Sequence, residues 1–226
     1  MRSLILAVAY FLGIHLFISG TRLRSVIVAR TGEPGFLTLF SALSVVGMGW
    51  MIWAYSGSDL VPVWMPNPLF HWLAVPLTLI AFVFIFAGLT TPSPTVVGGE
   101  SALAAADPAS GMLRITRHPF LWGVALWALT HLLVNGDLAS MILFGSLLIL
   151  ALIGPVLIDA KCRSRFGEKW KPFEARTSNV PFGAIAAGHN HVSIDEIGWS
   201  RLAIAVAAWV TMILLHPLFF GERALP

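Results

Sequence analysis

Five histidines and two arginines lie within or at the ends of long apolar runs, where an ionisable side chain is costly and generally has a task. They are His15, His71, His118, His131, His216, Arg114 and Arg117. The densest grouping is Arg114 to Asp137, RITRHPFLWGVALWALTHLLVNGD. Buried imidazoles can ligate a metal, shuttle a proton or hydrogen-bond between helices. Guanidinium groups in the same setting recognise planar anions.

His15 has no polar neighbour in its own run except Ser19. On an ideal helix its face also carries Val8, Phe11, Leu12 and, two turns or about 10 Å further on, Arg22. That spacing suits a haem, with the imidazole on iron, the macrocycle in apolar surroundings and a propionate on Arg22. The plain alternative is an imidazole bonded to a neighbouring helix. That reading is favoured for His71 and His216, which sit at run ends beside Trp72 and Pro217.

His118 opens the next candidate helix as R-H-P, with Pro119 placed for a helix start. His131 follows thirteen residues later, about 20 Å along the helix and near 140° around it. One site cannot easily use both. By depth alone His15 pairs with His118. His189 and His191, in GHNHVS, supply only half a tetrahedral metal site and read as a solvated loop.

The elements that must hold these residues are membrane helices. The chain has 226 residues, 57% hydrophobic and 11% charged, with a mean hydropathy of +0.82; soluble domains carry about a quarter charged residues. Runs free of Asp, Glu, Lys and Arg cover about 3–20, 36–55, 70–89, 119–135, 139–158 and 202–219. Each approaches the ~20 residues a helix needs to cross a bilayer. The expectation is a single all-α transmembrane domain of six spans, embedded in lipid.

Threading six spans puts twelve of the fourteen Lys and Arg on one side, leaving Arg2 and Arg223 on the other. The positive-inside rule makes the first side cytoplasmic and both termini non-cytoplasmic. No small-x-small cleavage site follows Ser19, so the first run reads as a retained span. The net charge of +3 comes without a Lys/Arg block, which removes the reason to expect nucleic acid. Cys162 is the single cysteine, so it excludes an internal disulfide and reads as an inert thiol. In KCRSRFGEKWKPFEAR, residues 161–176, Phe166, Trp170 and Phe173 recur at helical spacing among basic residues. This predicts an interfacial amphipathic segment with aromatics in the headgroup layer, broken into two pieces by Gly167 and Pro172.

Several motifs together resemble the NnrU family: H-x-x-x-S-G-T-R-L-R from His15, R-I-T-R-H-P, W-x-x-x-H-x-x-x-N-G-D, T-S-N-V-P-F at Thr177–Phe182, and the closing H-P-L-F-F-G. The resemblance covers essentially the whole chain. It implies a bacterial inner-membrane protein accessory to denitrification, acting with nitrite or nitric oxide reduction enzymes or on an apolar small molecule. The family is related to plastid 15-cis-zeta-carotene isomerase, a haem b membrane enzyme, so haem b and an isomerase-like activity are implied as well. Carried over by motif, the iron ligands are His15 and His131, with Arg22, Arg114, Arg117 and His118 as further cofactor-binding candidates. Ala128 stands where the isomerase has a cysteine, which puts a histidine–thiolate exchange out of reach. In the six-span threading His15 and His131 differ by about 14 Å in depth, so His118 stays open as the alternative partner of His15.

Arg114, Arg117, His118, Pro119 and Gly123, followed by Asp159, Phe166, Gly167 and Trp170, are also similar to isoprenylcysteine and phospholipid methyltransferases. That second resemblance implies S-adenosylmethionine. The paired glutamates of those enzymes are replaced by Ile158 and Asp159, so a shared fold with a different ligand is the preferred reading.

Overall fold

The computed structural model describes residues 1–18, 21, 23–96 and 98–225. The chain folds as helices: α1 (Arg2–Gly13) running into a π-helical turn (Ile14–Ile18), α2 (Leu23–Ser56), α3 (Pro68–Thr90), α4 (Met112–Ile115), α5 (Pro119–Asn135), α6 (Leu138–Phe166), α7 (Lys171–Arg176), α8 (Gly183–Ala186), α9 (Ile194–Ile197) and α10 (Trp199–Phe220). Among the described residues there is no strand, only an isolated antiparallel bridge between Pro62 and Asp137.

Four helical stretches are long and apolar enough to cross a membrane: Leu23–Ser56, Pro68–Thr90, Leu138–Lys169 and Trp199–Phe220. The remaining two apolar runs form the shorter helical stretches Arg2–Ile18 and Pro119–Asn135. The protein is thus a membrane protein with several apolar helices. The second run is preceded by more helix than its hydropathy shows, because α2 starts at Leu23. It carries a break at Gly32, φ +73° and ψ 167°, just before Pro34. Only glycine takes that φ readily, and proline cannot continue the hydrogen-bond ladder behind it.

Two compact units emerge, residues 1–66 with 131–150, and residues 67–130 with 151–226. In the first, α1 packs along α2. Leu4, Ala54 and Ala139 share a core, and Trp50 Nε1 donates to Ser3 Oγ at 3.0 Å. The two Pro- and Gly-rich connections of this unit bind each other, Val63 and Trp64 N–H both donating to Gly136 O at 2.8 and 3.1 Å. A Cβ at Gly136, φ +71°, would lie 2.5 Å from Trp64 O, so this turn demands glycine.

In the second unit α10 lies along α3, tied by Trp209 Nε1 donating to Thr78 Oγ1 at 3.0 Å. α3 and α5 cross backbone to backbone. A Cβ on Gly88 would fall 2.7 Å from Phe120 N, and one on Gly123 would fall 2.8 Å from Ala81 O.

The expected interfacial segment is corrected in part. It does break into pieces, α6 ending at Phe166, a 3-10 turn at Gly167–Lys169, then α7. Its aromatics do not float in a headgroup layer, however. Trp170 and Phe173 are fully buried against Ala109, Leu113 and Cys162. The adjoining 92–111 connection folds back far enough to cover them, and hydropathy alone does not register that.

Candidate functional site

The histidine environments begin with local geometry. His15 occupies the π-helical turn, a device that inserts one residue per turn and recurs at functional sites. Its Nδ1 lies 2.8 Å from Phe11 O. A carbonyl only accepts, so Nδ1 carries the hydrogen and Nε2 keeps the lone pair in the neutral ring. The ring is half-buried against Phe11 and Phe40, with centroids 4.3 and 5.1 Å away.

His131 is also half-buried and stacks on Phe144 at 4.7 Å and 26°. Phe144 in turn meets Tyr55 edge-on at 6.0 Å. Tyr55 OH and Ser140 Oγ are 2.9 Å apart, and Asp137 accepts from Ser140 N and Oγ at 2.9 and 2.5 Å. These contacts cap α6 and hold the end of α5. Measured from the shared Leu4–Ala54–Ala139 core, His15 lies about 16 Å along α1 and Phe144 about 8 Å along α6. The two histidines therefore differ in depth by roughly 9 Å at 1.5 Å of rise per residue.

The Arg114–His118 turn is built differently. Pro119 forces the preceding residues out of the α region, and Thr116 is extended at φ −155° and ψ 146°. The turn binds the Thr177–Phe182 segment along its length: Arg117 N donates to Ser178 O at 2.9 Å, and Phe182 N to Ile115 O at 2.8 Å. Thr116 Oγ1 and Trp122 Nε1 both donate to Asn179 O, at 2.5 and 2.7 Å.

Inside this frame Arg117 Nε donates to Asp159 Oδ2 at 2.9 Å. Its Nη1 reaches Thr177 O and Oγ1 at 2.9 and 3.1 Å. His118 Nε2 meets the other oxygen, Asp159 Oδ1, at 2.7 Å. The three side chains are 8, 5 and 1% exposed for Arg117, Asp159 and His118. Arg114, also buried, is held on three sides by Glu196, by Asn190 at 2.8 Å and by Asp107 at 2.7 Å.

The predicted site residues thus fall into separate groups. Arg114, Arg117 and His118 are brought close together in the second unit, with their donors directed at the chain's own carboxylates and carbonyls. His15 and His131 belong to the first unit, apart in depth. Arg22 lies outside the described residues. Sequence reasoning missed Asp107, Asn190, Glu196 and Glu174, the last 3.7 Å from Arg117 Nη2, and had Thr177 and Asn179 only as part of the T-S-N-V-P-F motif. The clue was charge balance: two buried guanidiniums need acceptors, and the long connections hold few acidic residues.

Comparison with known proteins decides the lineage. A family model described as "NnrU protein" matches residues 3–224. The chain belongs to the NnrU family. Two curated relatives of this NnrU chain are both named "15-cis-zeta-carotene isomerase, chloroplastic". The one from Zea mays is 35% identical over 112 residues, 48% of this chain and 31% of that protein. The one from Arabidopsis thaliana is 27% identical over 214 residues, 84% of this chain and 53% of that protein. The NnrU chain thus spans about a third to a half of the length of these relatives. No solved structure matches it.

Set against what a haem needs, His15 and His118 each have one ring nitrogen held by a protein acceptor, and the two arginines of the turn are occupied. His15 presents the tautomer that a ligating imidazole uses, its other nitrogen fixed by a carbonyl. Arg114 and Arg117 are engaged by protein acceptors, and His118 Nε2 donates to Asp159. Among the described residues no three His, Cys, Asp or Glu side chains converge to hold a metal ion. A haem, with one or two axial protein ligands, does not need such a cage.

Proposed function

We propose that this NnrU-family protein is a membrane-embedded, isomerase-like protein acting on an apolar molecule, with haem b ligated through His15. The observation that carries the proposal is the His15 Nδ1 to Phe11 carbonyl hydrogen bond within a π-helical turn. It fixes ring and tautomer as a second-shell partner does in metal sites. The names of the two curated relatives supply the reaction class. When bound, the haem would supply an iron centre whose electronics its axial ligand tunes. The chain's own part is to hold the ring of His15 against Phe11 and Phe40.

Motif resemblance gives the second axial position to His131. The roughly 9 Å depth difference means that α1 must tilt or slide against α6 for both to bind one iron. His118 is the alternative second ligand, its Nε2 donating to Asp159 as a ligating histidine's outer nitrogen does. The finer topology in this reading is six spans with both termini non-cytoplasmic, in a bacterial inner membrane. It is supported by the one-sided Lys and Arg distribution. An accessory role in denitrification belongs to the same reading and rests on family resemblance.

The test is the absorbance of detergent-purified protein. A Soret band that shifts on reduction is expected, lost in His15→Ala and retained in His118→Ala. Six-coordinate low-spin iron that becomes five-coordinate in His131→Ala supports two ligands. A colourless protein, or a band untouched by His15→Ala, overturns the proposal.

A further inference from the structure

A cavity of about 280 Å³ opens between the connection 92–111 and α7. One wall includes Leu103, Ala106 and Pro108, and the other Lys169, Phe173 and Arg176. The last three recur four and three residues apart, which puts them on one helical face. Phe173 is fully buried and belongs to the Trp170 core, whereas Lys169 and Arg176 are exposed.

The carboxylates around this cavity are spent on other cations. Glu168 pairs with Lys171 at 2.7 Å, Glu174 with Arg163 at 2.5 Å and Glu100 with Arg165 at 2.6 Å. Asp107 takes both Arg176, at 3.0 Å, and Arg114, at 2.7 Å. Glu196 also takes Arg114, so two carboxylates balance these two guanidiniums. Lys169 makes no ion pair among the described residues. The cavity wall thus carries one uncompensated positive charge. Beside it, Arg176 spends two nitrogens on Asp107, and a guanidinium has five N–H donors.

We propose that this cavity binds a phosphodiester monoanion, either the head group of a phospholipid or a soluble ester of the same type. A single negative charge is what the uncompensated Lys169 balances, and its flexible stem lets the ammonium follow a phosphate oxygen. The remaining N–H groups of Arg176 suit a second oxygen, since guanidinium matches phosphate geometry. Leu103, Ala106 and Pro108 give apolar contact to the ester's carbon substituents. The site is independent of His15 and of any haem there.

Two probes on the full-length protein in detergent distinguish the sources. Diethyl phosphate, titrated by phosphorus NMR with triethyl phosphate as the neutral control, reports a soluble ester. Phosphatidylglycerol, set against net-neutral phosphatidylcholine and counted by native mass spectrometry, reports a lipid. At least one of the two anions is expected to bind saturably, one per chain and in preference to its neutral control. Saturation by phosphatidylglycerol alone identifies a lipid head group, and saturation by diethyl phosphate identifies a site open to soluble esters. Lys169→Ala should weaken that binding roughly tenfold, as loss of one hydrogen bond to a charged group does. Ala106→Trp, which fills the cavity without changing charge, should abolish it. Lys171→Ala, a lysine paired with Glu168 and outside the cavity lining, should leave it unchanged. The proposal is overturned if neither anion saturates, if neither is preferred to its control, if binding survives Ala106→Trp, or if the two lysine variants act alike. Ala106 and Lys169 are both exposed; should Ala106→Trp fail to accumulate, the two lysine variants decide without it.

Discussion

Asp159 accepts from a guanidinium with one oxygen and from an imidazole with the other, in a setting almost closed to solvent. Removing it leaves the Arg117 charge only the more distant Glu174, 3.7 Å away, and breaking such a buried pair costs about 3–5 kcal/mol. Asp159→Leu should lower the detergent melting temperature sharply. The double variant Arg117→Met with Asp159→Leu should melt closer to the parent than Asp159→Leu does, since no charge is then stranded. A double-mutant cycle reads that coupling, and strictly additive losses would contradict it. His15, Arg117 and His118 stood out in the sequence because ionisable groups in or beside apolar runs are rare, and Asp159 entered only through the methyltransferase resemblance. Their partners did not stand out. Thr177 and Asn179 belonged to the T-S-N-V-P-F motif with no partner assigned and Asn190 to no motif, because bonds spanning 57 to 76 residues leave no local signature.

At the scale of elements, the crossing of α3 and α5 depends on two missing side chains. Gly88→Val or Gly123→Val must push the helices apart, and overpacking of this kind costs typically 1–3 kcal/mol. Gly145, inside α6, would meet nothing within 4 Å on gaining a Cβ. Gly145→Ala should therefore stabilise by about 0.5–1 kcal/mol through helix propensity alone. Thermal melting of the three variants checks the opposite signs. The apolar runs placed the long helices correctly, because burial in lipid is a property of composition. They could not announce the π-helical turn after Gly13, since one inserted residue does not alter a uniformly apolar pattern. Nor did they reveal the inward turn of Trp170 and Phe173, which the fold of a distant loop decides.

For the whole molecule, four helices meet the length and hydropathy for crossing a membrane, where composition had promised six runs. The difference comes from the ends of the runs: the first changes to π geometry after Gly13, and α5 stops at Asn135 before the Gly136 turn. Membrane character and helical class were fully legible, because they follow from summed hydropathy. Arg114 carries a prediction at this scale, since it gathers Asp107, Asn190 and Glu196 from segments far apart in the chain. Asp107→Ala combined with Glu196→Ala should reduce the amount of protein in isolated membranes several-fold, read by quantitative immunoblot, because losses of this kind expose the chain to proteolysis. An unchanged level would show the two carboxylates to be dispensable. The same arginine sets a clock on biogenesis. It leaves the ribosome 82 residues ahead of Glu196, a delay of roughly 4 to 16 s at about 5–20 residues per second. For that interval the nascent chain must keep a guanidinium hydrated that the finished protein buries, so translation speed across 115–196 and the vigilance of membrane proteases both act on its yield.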